Sequence, residues 1–108
     1  MKELAITEKV FTAQVTQLAQ ICGWEVYHPW LARHSRAGFP DLTLWHPKYQ
    51  QHFYAELKTN TGKLTVAQDS TIQSLRAAAV EVRVWRPCDW AEIEARLLNR
   101  ELVRESQI

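Results

Sequence analysis

Two short pieces of this chain constrain its fold more than anything else in it. Gly38-Phe39-Pro40-Asp41 opens one apolar run, Leu42-Thr43-Leu44-Trp45. A second run, Phe53-Tyr54-Ala55, ends in Glu56-Leu57-Lys58, with fourteen residues between Asp41 and Glu56. In the second run Tyr54, Glu56 and Lys58 alternate with Phe53, Ala55 and Leu57, and a period of two predicts a strand. Residues i and i+2 of a strand share a face, so Glu56 and Lys58 point the same way. If the two runs pair as neighbouring strands, Asp41 meets Glu56 across the ladder. Two carboxylates and an ammonium then converge at one spot. Hard cations such as Mg²⁺ are held by one or two carboxylates together with water and phosphate. A lysine beside such a metal can orient or activate water and stabilise charge on a phosphate. The set suits metal-assisted phosphodiester hydrolysis.

Each piece alone has a plain structural reading. Asp after Pro is common in turns, and an alternating Glu-x-Lys is often the wet face of a half-buried strand. The ordered string is more specific. Pro40-Asp41 followed by Glu56-Leu57-Lys58 resembles the PD-(D/E)xK nuclease signature. Gly38 before it, Gly62-Lys63-Leu64-Thr65 after it, and Gln68 on the next helix narrow the resemblance to the VRR-NUC (virus-type replication-repair nuclease) family, over about residues 8–94.

The 108 residues fit a single domain, 1–108. No apolar run approaches the ~20 residues of a membrane helix, and Met1-Lys2-Glu3-Leu4 does not lead into a signal-peptide core. An intracellular, cytoplasmic protein is therefore expected. Cys22 and Cys88 form no CxxC pair and read as small buried hydrophobes. No Cys/His cluster has zinc spacing, and no Walker A loop supports nucleotide hydrolysis.

The net charge of +1 is weak support for nucleic-acid binding. Its distribution is more useful. Arg33, Arg36, Lys48, Lys58, Lys63 and all four histidines fall within 24–64, on the motif side. Of the five tryptophans, Trp45, Trp85 and Trp90 sit inside element patterns and read as core. Trp24 and Trp30 flank the first strand, where packing is favoured over base stacking.

Residues 7–22 read as a helix with Thr7 as N-cap and Gly23 just past its end. Residues 24–28 alternate as a strand, and Pro29 to Phe39 form a polar loop. The motif strands follow, joined around Pro47-Lys48-Tyr49-Gln50. Thr65-x-x-Gln68 fits a capping box, with Gln68, Ile72, Leu75 and Ala79 along one stripe. Val80–Trp85 is a last strand. Asp89-x-x-Glu92 is a second capping box, opening a helix with Trp90, Ile93, Leu97 and Leu98 inward; residues from about Arg104 fray. The order is α-β-β-β-α-β-α, an α/β fold with a small mixed four-stranded sheet flanked by helices. Its β-α-β step should be a parallel crossover.

The resemblance implies a restriction-endonuclease-like core and a divalent cation, Mg²⁺ or Mn²⁺. It makes Asp41, Glu56 and Lys58 the catalytic set, with Asp41, Glu56 and the Leu57 carbonyl as metal ligands. Lys58 would orient or deprotonate the attacking water. Glu8 matches an acidic position of the first helix used by some relatives, with a helix-terminal surface acid as the plain alternative. Gln68 would support Lys58 or contact a phosphate, with a simple cap as its alternative. Arg33, Arg36, His28 and Lys63 are the candidate DNA contacts. The implied function is DNA repair chemistry on branched DNA by a homodimeric Holliday junction resolvase. A shortage of surface in so short a chain, and the symmetry of paired cuts, also favour a twofold dimer. Leu31, Phe39, Tyr49 and Trp30, in or beside loops, are the surplus apolar residues for its interface. Two other functions stay open: a monomeric nicking or flap nuclease, and a non-catalytic DNA-binding module of the same fold. The intact acid-acid-lysine set argues against the latter.

Overall fold

A computed structural model describes residues 5–29 and 37–100. The candidates Arg33 and Arg36, with Trp30, Leu31 and the end of the chain beyond residue 100, lie outside the described residues. The elements run α1 (Glu8–Ile21), β1 (Glu25–Tyr27), β2 (Leu42–His46), β3 (Gln51–Leu57), α2 (Val66–Ala77), β4 (Val82–Trp85) and α3 (Trp90–Leu97), with a 3₁₀ turn over Pro87–Asp89. This is the order expected from the sequence. The sheet is mixed, in the order β1-β2-β3-β4. β1–β2 and β2–β3 are antiparallel, and β3–β4 are parallel, as a β-α-β step requires.

Local chemistry sets the boundaries. Thr7 Oγ1 accepts the Val10 N–H at 3.1 Å and starts α1. Gly23 ends it at φ +93°, and a Cβ there would lie 2.7 Å from His46 Nε2. Thr65 and Gln68 form the full capping box of α2: Thr65 Oγ1 accepts the Gln68 N–H, and Gln68 Oε1 accepts the Thr65 N–H.

Phe11, Val15 and Ala19 of α1 pack with Leu42, Leu44, Phe53, Ala55, Leu57, Trp85, Ile93 and Leu97 in one cluster, all fully buried. Removing a ring such as Phe53 from such a core costs about 3–5 kcal/mol. Trp24 joins the cluster, and its Nε1–H donates to the Leu97 carbonyl at 2.8 Å. It packs, as expected. The alternation in β2 puts Leu42, Leu44 and His46 inward and Thr43 and Trp45 outward. Trp45 is 42% exposed, so its reading as core is corrected. The strand supplies only one buried face there, and the tryptophan has the outward parity.

Four other expectations are corrected. Cys88 is exposed, and Cys22 is only half-buried, packed against the margin of the core at the end of α1. Tyr49 is not surplus: it stacks on His46 with ring centroids 3.7 Å apart and meets Trp24 edge-on. Asp89-x-x-Glu92 forms no capping box. Asp89 Oδ2 accepts the Arg86 N–H at 2.9 Å instead, and Glu92 Oε2 accepts the Trp85 indole N–H at 2.9 Å. Leu98 lies past the end of α3 and is 37% exposed, while Arg96 is buried at 5%. The Arg96 guanidinium donates to both Glu81 oxygens, at 2.7 and 2.9 Å, and to Gln51 Oε1 at 2.8 Å, and lies 4.4 Å from the Phe53 ring centroid. Burial pushes the Glu81 carboxyl up. Its bonds to Arg96, with the Arg96 and Arg83 charges, outweigh this and hold it below the ordinary range.

Helices α1 and α3 pack against each other, and α1 also against β1 and β3, while α2 packs on β4. Among the described residues the outward side of β1 and β2 carries exposed aromatic side chains, with Tyr27 57% exposed and Trp45 on the same face. At the other end of these strands, β2 begins beside the last residues of β3.

Candidate active site

The register carries the sequence expectation through. Leu42 pairs with Ala55, so the next step of the same antiparallel register sets Asp41 opposite Glu56. β2 has ended at that point, and the Asp41 side chain takes over the ladder. Its Oδ2 accepts the Leu57 N–H at 2.9 Å. In an antiparallel ladder one residue turns its N–H and its carbonyl to the same neighbour. The Leu57 carbonyl is thereby aimed to the Asp41 side. Lys58 faces the other way with its backbone, donating its N–H to the Trp85 carbonyl at 3.0 Å.

Gly38 sets the approach to Asp41. It sits at φ +82°, and a Cβ there would lie 2.3 Å from the Ala67 carbonyl oxygen and 2.8 Å from the Gln68 nitrogen. The loop before Asp41 thus lies directly on the first turn of α2. Glycine is needed both for the left-handed backbone and for the close approach.

Glu56 is the unusual residue of the site. It is fully buried, and neither carboxylate oxygen has a hydrogen-bond partner among the described residues. Lys58 Nζ stands 3.8 Å from Glu56 Oε2, near enough to attract and too far to bond. The Glu56 carboxyl is raised from its ordinary 4.5 to about 8: burial is the largest cause, the nearby Asp41 adds to it, Lys58 opposes, and Glu8 gives a smaller upward push. A buried carboxylate without partners is costly. A proton shared with Asp41 relieves it, and so does a cation. The donor set therefore fits a hard divalent ion: two carboxylates and an aimed carbonyl, all oxygen, leaving the other positions for water and phosphate. Among the described residues no group of three or more His, Cys, Asp or Glu side chains is placed to hold a metal ion.

Glu8, His28 and Asp41 line one cleft of about 670 Å³, together with the α1 residues Lys9, Thr12, Ala13, Thr16, Gln17 and Gln20. Glu8 and His28 are thus brought to the acid pair's side of the molecule. Gln68 has its carboxamide oxygen engaged in the α2 cap. Lys63 is exposed in the segment between Lys58 and α2.

Two residues at this site were missed in the sequence. Arg86 Nη1 donates to the Thr59 carbonyl at 2.6 Å and to the Gly62 carbonyl at 2.5 Å. Asn60 Oδ1 accepts the Cys88 N–H at 2.9 Å. Together they clamp the loop that follows Lys58 onto the junction between β4 and α3. A basic residue at the end of a strand parallel to the motif strand was the available signal; only the parallel pairing gives it meaning.

Comparison with known proteins gives the family and the fold. The family model described as the VRR-NUC domain matches residues 7–87, well over half of the chain. The chain is 35% identical over 52 residues to a Fanconi-associated nuclease 1 homolog of Schizosaccharomyces pombe, a stretch covering 48% of this chain and 7% of that protein. It therefore corresponds to a small part of that relative. Among solved structures, one described as a VRR_NUC domain superposes with a TM-score of 0.62 at 20% identity, covering 71% of this chain and 81% of the other. A VRR_NUC domain protein gives 0.60 at 18% identity, covering 87% and 92%. Hjc of Archaeoglobus fulgidus, described as a Holliday junction resolvase, gives 0.51 at 13% identity, covering 72% and 67%. These three likenesses establish the fold, restriction-endonuclease-like as expected, and the family model establishes the membership: this chain belongs to the VRR-NUC domain family.

Proposed function

We propose that this chain is a metal-dependent DNA endonuclease that hydrolyses phosphodiester bonds in branched DNA, acting as a homodimer on four-way junctions. The observation that carries the hydrolytic reading is the fully buried Glu56 carboxylate opposite Asp41, without a hydrogen-bond partner among the described residues and with the Lys58 ammonium 3.8 Å away. Asp41, Glu56 and the Leu57 carbonyl would hold Mg²⁺ or Mn²⁺. Such an ion, when bound, polarises the phosphate and makes a bound water more acidic. Lys58, 12% exposed, orients the attacking water and offsets negative charge developing on the phosphate. Asp41, fixed by the Leu57 N–H, keeps its carboxylate in place without outside help. His28 and Lys63 meet the DNA, Arg33 and Arg36 its phosphates, and Glu8 adds acid to the metal side.

Branched DNA as substrate is supported by the fold shared with Hjc, described as a Holliday junction resolvase. Exposed Tyr27 and Trp45 on the outward sheet face, with Phe39 beside it, support an interface. The test is cleavage of a panel of nicked, flapped and four-way DNAs with Mg²⁺, Mn²⁺ and excess chelator. Paired, symmetric cuts in the four-way DNA, lost with chelator, are expected. Robust cutting in chelator overturns the metal reading, and cutting confined to nicks or flaps overturns junction resolution. No cutting of any DNA by a folded chain overturns the nuclease itself in favour of a binding module.

A further inference from the structure

The face of α1 that lines the cleft beside Asp41 has an unusual composition. From Val10 to Ile21 the helix carries no charged residue, in a chain that is 23% charged. Yet Ala13, Gln17 and Gln20 are exposed, and Thr12 and Thr16 are half-exposed. A solvent-facing helix surface ordinarily carries charges on its polar side. Here the strip is small and neutral throughout, with hydroxyls and carboxamides as its polar groups. It runs from Glu8, at the acid end of the cleft, to Gln20, and His28 also lines the cleft.

We infer that this strip is a track for one DNA strand, entered at the Asp41–Glu56 pair and followed along α1 from Thr12 to Gln20. The inference rests on the nuclease reading above and adds to it the path of the substrate. The nine residues from Thr12 to Gln20 span about 13 Å, the length of roughly four stacked nucleotides at about 3.4 Å each. Thr and Gln side chains are ordinary partners of phosphate and sugar oxygens. Neutrality has a physical reason in this place. Lys9, at the acid end, is the one lysine or arginine among the described residues that line the cleft; a further one along Thr12 to Gln20 would pair with Glu8 or Asp41 and compete with a cation for them. A protein partner is disfavoured, since the strip offers none of the aromatic or apolar anchors on which such interfaces depend. Continuity with Asp41 and Glu8 in one cleft is what selects a nucleic-acid strand as occupant.

The track predicts affinity that comes from neutral bonds. Ala13→Glu and Gln20→Glu, made separately in the full chain, each place one negative charge on the strip. Gln14→Glu places the same charge on an exposed position of α1 outside this cleft. Binding of four-way DNA is measured with Ca²⁺ in place of Mg²⁺, and the melting temperature of each variant checks the fold. Strip charges should weaken binding about tenfold or more, through repulsion of the phosphates, with Gln14→Glu within about twofold of the parent. Thr16→Val and Gln17→Ala should weaken binding without changing its salt slope, whereas Lys9→Ala should flatten that slope by about one. Equal effects of the three glutamate substitutions, in a parent chain that binds and cuts DNA, overturn the track and leave the nuclease standing. A parent that neither binds nor cuts overturns the nuclease reading on which the track rests.

Discussion

Asp41 and Leu57 are joined by a side chain standing in for a strand: Asp41 Oδ2 accepts the Leu57 N–H at 2.9 Å where β2 no longer supplies a carbonyl. The bond gives Asp41 a structural role beside its proposed catalytic one, and substitutions separate the two. Asp41→Asn keeps an acceptor oxygen and should melt near the parent, yet lose cutting because a neutral amide is a poor cation ligand. Asp41→Ala should lose cutting and also about 1–3 kcal/mol of stability, the cost of a buried N–H without a partner. Thermal melts of both variants, beside cleavage assays, check this; an Asp41→Asn variant with parental turnover would remove Asp41 from the metal site.

Glu56 sets a pH dependence whose sign follows from its raised pKa. Its carboxyl moves from 4.5 to about 8 on folding, so the folded protein prefers it neutral. Below 4.5 it is protonated both folded and unfolded, and it costs nothing. Between 4.5 and about 8 the unfolded chain ionises first, so this group's contribution to stability falls as pH rises and levels off above about 8. Metal-free protein should therefore lose melting temperature across that window, and Glu56→Gln should flatten the loss while abolishing cutting. In a domain this size each 1 kcal/mol moves the midpoint by roughly 4–8 °C. Divalent-ion affinity should rise over the same window, since binding displaces the proton. Calorimetry showing no proton release at pH 6.5 would contradict this.

Lys58 should matter to the reaction rather than to the fold, its ammonium being 3.8 Å from Glu56 with no bond. Lys58→Ala should cut at least about a hundredfold more slowly, with DNA binding little changed, because the loss falls on the transition state. Lys58→Arg should not rescue it, as a planar guanidinium does not replace a compact ammonium. Near-parental turnover of Lys58→Ala would leave the lysine a strand-end surface residue.

Arg86 reaches the site only through the loop it holds. Its Nη1 bonds the Thr59 and Gly62 carbonyls, and Gly62 packs against the Lys58 side chain, where a Cβ would lie 3.8 Å from Lys58 Cδ. Arg86→Ala should lower kcat with KM nearly unchanged, as Lys58 loses its fixed position. Arg86→Lys, able to reach one carbonyl, should recover part of it. Equal recovery of stability with none of activity would limit Arg86 to holding the fold.

The outward sheet face makes the dimer testable. Tyr27 stands opposite Thr43 and Trp45 opposite Glu25, all with outward parity, so Tyr27 and Trp45 share one face. Sedimentation of the parent at micromolar concentration should give a dimer, and the double variant Tyr27→Glu, Trp45→Glu a monomer that still binds divalent ions. A monomeric parent, both free and on four-way DNA, would transfer the assignment to a nicking or flap nuclease.

Element type and order were legible in the sequence because they depend on local chemistry. Thr7, Gly23 and the Thr65–Gln68 box start and stop helices by bonds within a few residues, and the alternation of Phe53–Lys58 gives strand parity without any partner. The convergence of Asp41 and Glu56 was legible too, since antiparallel neighbours joined by a short turn leave little choice of register. What depends on distant chain was not. Nothing local says that Trp45 faces outward while Trp24 closes the core, because that depends on which side of the sheet α1 and α3 cover. Nothing near Glu92 says that the Trp85 indole takes its carboxylate from the expected cap. The burial of Glu56, its lack of hydrogen-bond partners among the described residues and the Arg86 clamp arise only when β4 lies parallel to β3 and the loop before Asp41 packs on α2 through Gly38. Sequence determined which groups the site contains; tertiary packing decided their solvation, and solvation sets how strongly two carboxylates demand a cation.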